Sequence, residues 1–141
     1  MGNWFILGTA LVIAGWLWLR MRRRTLAIKA LAEKLGFDYI GEALPRTIKL
    51  RGSILDYAHS VRNVIDGERA GMRTLTFDFT TGEGKQARRY TALATQSQND
   101  VFQINRYGGD LTIECSDGWT FAIGRTLTVE EIESFLESIE S

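Results

Sequence analysis

Two hydrophobic patterns divide the chain. Met1 to Leu19 holds no charged side chain, and apolar residues lie on every side from Trp4-Phe5-Ile6-Leu7 to Leu17-Trp18-Leu19. Nineteen helical residues rise about 28 Å at 1.5 Å each, close to the hydrocarbon thickness of a bilayer. A helix that is apolar all round needs lipid or a complete protein jacket. The other residues are committed elsewhere, so a membrane-spanning helix is predicted. Trp4 at its start and Trp16 and Trp18 at its close sit where indoles prefer the headgroup level. Arg20, Arg22, Arg23 and Arg24 then stop the apolar run.

After the arginines, Ala27, Ile28, Leu31 and Leu35 share one face at helical spacing, and Gly36 stops that helix. The span is free to run into it unbroken. From Phe37 onward the period is two. Strands are predicted at 37–40, at 47–54 with a break at Gly52, and at 60–66, the last meeting an Asp66-Gly67 turn. Further strands are predicted at 73–79, 85–96 and around Phe102 and Ile104, with a polar loop at 96–100 and a turn at Gly108-Gly109. A hairpin follows, in which Leu111, Ile113 and Cys115 alternate, Ser116-Asp117-Gly118 turns, and Trp119, Phe121 and Ile123 alternate again. This places Cys115 on the apolar face with Trp119, as a buried and inert thiol.

The closing helix has capping-box spacing at Thr128 and Glu131. Val129, Ile132, Phe135, Leu136 and Ile139 form its apolar stripe, and Glu130, Glu133, Glu137 and Glu140 its solvated side. The fold class is therefore α+β: an N-terminal transmembrane helix, an antiparallel sheet, and a C-terminal amphipathic helix. The expected division is a transmembrane segment with its arginine stop at 1–24 and a soluble α+β domain at 25–141.

Charge changes this picture in one respect. The chain is formally neutral, with 17 basic and 17 acidic residues. Four of the basic residues belong to the arginine cluster. From Thr25 onward thirteen basic residues face seventeen acidic ones, a balance near −4. A domain without a basic excess is a poor match for phosphate backbones, so no nucleic-acid partner is expected. Basic residues beside a span stay cytoplasmic, which predicts an outside N-terminus and a cytoplasmic domain at the inner membrane. A cleaved signal would carry its charge before the apolar run and end in a small-x-small site. Neither holds here. In the span, Gly8, Ala10, Ala14 and Gly15 are small enough for a second helix to approach, Ala10 and Ala14 at small-xxx-small spacing.

Candidate chemistry is sparse. Gly82-Glu83-Gly84-Lys85 fails as a phosphate loop, because Phe79 and Gln86 occupy the places of the leading glycine and the trailing hydroxyl residue. His59 is the single histidine, with Asp56 three residues before it and Ser53 and Ser60 nearby. It reads better as a hydrogen-bonded loop residue than as a base. One cysteine and one histidine supply no ordinary zinc site, and no cofactor is implied. Arg88, Arg89 and Tyr90, with Arg73 on the paired strand, form a possible basic-aromatic patch for an anionic headgroup. Ordinary strand-surface charge is the plainer account.

Leu35-Gly36-Phe37, the Leu44-Pro45 turn, Phe77-Asp78-Phe79-Thr80-Thr81-Gly82-Glu83-Gly84-Lys85 and the Gly118-Trp119 hairpin resemble an uncharacterised family of small bacterial single-span membrane proteins. The element order also resembles a pleckstrin-homology-like architecture, which carries no function. The expectation is a non-enzymatic accessory or scaffold subunit. Its partners would be membrane lipids and other membrane protein subunits, such as those of an energy-transducing complex. The alternative is a lipid- or ligand-sensing module.

Overall fold

One helix, α1 (Asn3–Leu35), carries both helical patterns without interruption. Its 33 residues extend about 50 Å at the standard rise. The computed structural model describes residues 2–96 and 111–139. All but Gln96 of the expected loop at 96–100, the strand around Phe102 and Ile104, the Gly108-Gly109 turn and Glu140 lie outside the described residues. α1 ends where glycine permits: Gly36 is left-handed at φ +72°, and the Phe37 N–H reaches back to the Ala32 carbonyl at 2.8 Å. Every residue from Gly2 to Arg20 is exposed, whereas Ile28, Leu31 and Ala32 are buried. Among the described residues α1 alone is long and apolar enough to cross a bilayer. The expected boundary at residue 24 thus falls inside one continuous helix.

The sheet contains β1 (Asp38–Gly41), β2 (Ala58–Arg69), β3 (Met72–Thr81), β4 (Arg88–Thr95), β5 (Thr112–Ser116) and β6 (Trp119–Arg125). All pairings are antiparallel in the order β1-β2-β3-β4-β6-β5. Helix α2 (Val129–Ser138) closes the chain, with the Thr128 and Glu131 side chains each accepting from the other's backbone N–H. The α+β class, an antiparallel sheet between a long leading helix and a short closing one, is as expected.

Both faces of the sheet are covered. On one face α1 and α2 pack over Ile65, Leu93 and Ala122 through Ile28, Leu31, Ile132, Phe135 and Leu136. On the other, Phe77, Phe79, Phe121 and Trp119 lie under Leu44, Ile48, Leu50, Ile54 and Leu55. That cover comes from the segment between β1 and β2, where a strand was expected at 47–54. The segment is irregular and ends in a 3₁₀ turn at Leu55–Tyr57. Leu44, Ile48, Leu50 and Ile54 keep the two-residue spacing of one strand face, but the backbone turns back on itself, the Ile48 N–H bonding the Pro45 carbonyl and the Asp56 N–H the Gly52 carbonyl, instead of joining a ladder. The bare backbone of Gly52 admits the Glu114 carboxylate, which accepts from Ser53 Oγ at 2.5 Å and the Ile54 N–H at 2.9 Å.

Two turn expectations are corrected. Asp66 and Gly67 lie within β2, and the β2–β3 hairpin turns instead at Ala70-Gly71, both at positive φ. Gly67 is a close-approach site, since a Cβ there would enter the Phe37 ring. The second correction concerns Cys115. Asp117 (φ +49°) and Gly118 (φ +81°) form a two-residue turn, so Ser116 pairs with Trp119 and Cys115 with Thr120. Counting three turn residues shifts the register by one and exchanges the faces of β5. Cys115 is accordingly exposed, while Trp119 is buried.

Candidate functional site

Arg24 lies one turn before Ile28 on the same face of α1, so the packing that buries Ile28 also turns Arg24 towards the sheet. Asp78 meets it there. In β3, Leu75, Phe77 and Phe79 point to the loop-covered face, which sends Thr74, Thr76 and Asp78 to the helix-covered face. Arg24 grips Asp78 with two parallel bonds, Nε to Oδ2 and Nη2 to Oδ1, each 2.8 Å. Its Nη1 donates to the Leu127 carbonyl at 2.7 Å, between β6 and α2.

Neighbours complete the site. Thr91 of β4 donates to Asp78 Oδ1 at 2.8 Å, and its oxygen accepts from the Leu127 N–H at 3.1 Å. Asn63 of β2 donates to Asp78 Oδ2 at 3.0 Å. The Asn63 Oδ1 in turn accepts from the Thr25 hydroxyl at 3.0 Å and the Tyr39 hydroxyl at 3.2 Å. The Asp78 carboxylate, with both oxygens satisfied, therefore ties β3 to α1, β2 and β4, and Arg24 and Thr91 extend the network to the β6–α2 connection. Charge-assisted bidentate bonds of this kind are the strong ones, and breaking one side leaves the other charge stranded. Tyr39 is held above the ordinary tyrosine range by burial first, then by Glu42 and Asp78.

The backbone is bent to make this arrangement. From His59 to Arg62 and from Arg62 to Ile65, β2 advances three residues while β3 advances two, so each interval contains a bulge. Ser60 (φ +50°) and Asn63 (φ +52°) take the left-handed conformation in these bulges. The second bulge aims the Asn63 amide at Asp78. Asn63 between Val61 and Val64 was the available sequence signal, because asparagine tolerates this conformation better than most residues.

Beside the clamp is a cavity of about 470 Å³. Met21 and Arg24 of α1, Ser60 and Arg62 of β2, Arg89 of β4 and Thr126 border it. It lies at the end of the sheet from which α1 leaves the domain. A larger cavity of about 850 Å³ lies against α2 and Leu111, with mostly apolar walls.

The other expected positions are dispersed. Arg20 lies over the Trp16 ring at 5.5 Å and Arg22 over Trp18 at 5.2 Å. Arg23 and Trp4 are exposed. Arg24 alone of the cluster turns inward. Gly8, Ala10, Ala14 and Gly15 are exposed, and nothing lies within 4 Å of a Cβ built at Gly8 or Gly15. The expected patch joining Arg73 to Arg88 and Arg89 does not form. Arg73 bonds Asp66 at 2.8 Å at one end of β3, whereas Arg88 and Arg89 pair with Thr81 and Thr80 at the other. That separation is about 24 Å at the usual strand rise.

His59 and Asp56 also stay apart. The His59 ring nitrogens meet Ser60 Oγ at 3.1 Å and the Gly82 carbonyl at 2.6 Å, while Asp56 accepts from the Gly52 N–H. No family model, curated protein or solved structure matches the chain.

Proposed function

We propose that the protein is a membrane-anchored scaffold or accessory subunit that presents its sheet domain at a fixed angle to the bilayer. The supporting observation is the continuity of α1: an exposed apolar half suited to lipid passes without a joint into a half that packs one face, Ile28, Leu31 and Ala32, into the domain core. A flexible linker is enough for simple tethering. A helix clamped through Arg24 and Asp78 instead restricts the domain's orientation, as docking onto a fixed neighbour requires. The role is non-enzymatic and needs no cofactor.

The charge order around the span favours an outside N-terminus and a cytoplasmic domain, and the resemblance to small bacterial single-span proteins implies the inner membrane. The small residues Gly8, Ala10, Ala14 and Gly15 offer a face to a helix of the partner complex. The test is purification of the full chain in mild detergent, with mass spectrometry of what accompanies it. A stoichiometric membrane-protein partner, lost on Asp78→Ala while the span still inserts, is the expected result. A monodisperse protein without such a partner would overturn the scaffold role.

A further inference from the structure

The cavity beside the clamp has an unbalanced charge. Arg24, Arg62 and Arg89 stand in its wall with one carboxylate, Asp78, which Arg24 already grips. Among the described residues, Arg62 and Arg89 have no carboxylate in ion-pair contact. The hydroxyl residues Ser60 and Thr80 also line it. Guanidinium forks and hydroxyl groups together suit the oxygens of a phosphate group.

Depth along α1 narrows the source of that phosphate. Taking Leu19 as the edge of the hydrocarbon, Met21 lies about 3 Å and Arg24 about 8 Å further along the axis. The headgroup layer outside each hydrocarbon face is roughly 5–8 Å thick. The cavity therefore opens at the level of the lipid phosphates, with Met21 towards the acyl side. Its volume falls in the range of small-ligand sites. Ser60, held left-handed in its bulge, is also part of the wall; such off-region backbone is concentrated at binding sites.

We propose that this cavity binds the phosphate of an anionic membrane lipid, with Arg62 and Arg89 as its ligands. The inference rests on α1 spanning the bilayer, and resistance to carbonate extraction of native membranes tests that premise separately. The full chain is reconstituted in nanodiscs of phosphatidylcholine with phosphatidylglycerol, and the lipids retained on release are counted by native mass spectrometry. Wild type should keep phosphatidylglycerol over phosphatidylcholine roughly tenfold or more, as two juxtamembrane arginines imply.

Arg62→Gln/Arg89→Gln should bring that ratio near one. Arg88→Gln/Arg125→Gln removes equal charge outside the cavity wall and should leave the ratio high. Thermal melts of both double variants verify folding, and Arg62→Gln alone substitutes if the first does not fold. Parity in wild type, or equal loss in the two double variants, overturns the proposal. So does millimolar inorganic phosphate stabilising the lipid-free protein through Arg62 and Arg89 as strongly as the lipid does, which would assign the cavity to a soluble phosphate.

Discussion

The outer and inner halves of α1 meet different surroundings within one continuous hydrogen-bonded rod. From Trp4 to Leu19 the large apolar side chains are exposed, several by more than half of their surface. From Arg24 onward one side of the helix belongs to the domain: Ile28 and Leu31 are buried, and Arg24 and Thr25 enter the polar clamp. Apolarity alone therefore does not make a helix part of a core. What distinguishes the halves is whether polar residues alternate with the apolar ones so that a single face can pack.

The largest expected effect follows directly. Leu31→Ala should cost the domain about 2–5 kcal/mol, the usual range for a large-to-small change in a core. Leu11→Ala should leave the denaturation midpoint of the domain unchanged. Both are measurable by denaturant titration in detergent, and equal losses would erase the contrast between the halves.

The second test compares two arginine–aspartate pairs with the same 2.8 Å spacing, Arg24–Asp78 and Arg73–Asp66. Asp78 bonds side chains from three other elements, whereas Asp66 bonds Arg73 across one hairpin with the arginine 39% exposed. Hydrogen bonding to Asp66 is the main reason the Arg73 pKa is raised, but exposure to solvent limits what that pair contributes. Asp78→Ala should cost about 3 kcal/mol and Asp66→Ala no more than about 1. Similar costs for the two would show that the clamp is no stronger than a surface pair.

Tyr39 gives a smaller effect with a defined pH window. Its folded pKa lies above the unfolded value, so its contribution is intact below about pH 10. Above that, the unfolded phenol ionises first, and stability falls as pH rises towards and through the raised folded pKa. Tyr39→Phe should lose about 1 kcal/mol at neutral pH with the bond to Asn63, and should lessen this alkaline decline. An unchanged decline in the variant would show that Tyr39 is not its source. The smallest effect is at Cys115. Cys115→Ser should alter stability by less than about 0.5 kcal/mol, and the native thiol should react readily with a maleimide. Slow labelling of the folded protein would contradict the two-residue turn that places it outside.

Local patterns carried much of the architecture. Gly36 ends α1, Leu75, Phe77 and Phe79 share one face, and Thr128 caps α2, all as their spacing indicates. Failures arose where turn geometry or packing outweighed spacing. Asp66-Gly67 has the composition of a turn, yet the Phe37 ring needs Gly67 inside a strand, and Ala70-Gly71 turns the chain. The cover at 44–55 resembles a strand because Leu44, Ile48, Leu50 and Ile54 alternate with polar residues, but its backbone turns after Pro45 and Gly52 and pairs with no strand. Of the candidate site, the arginine cluster was visible, while the partner of Arg24 was not, because Asp78 lies 54 residues away.

The sequence by itself determined the apolar N-terminal helix, its arginine stop, the antiparallel α+β class and the capped final helix, because each depends on interactions between residues close along the chain. Only the tertiary structure decided which arginine turns inward, which face Cys115 occupies and where Arg62 and Arg89 converge. Those outcomes depend on strand register and on two bulges in β2, and a one-residue change in pairing reverses the face of every side chain beyond it.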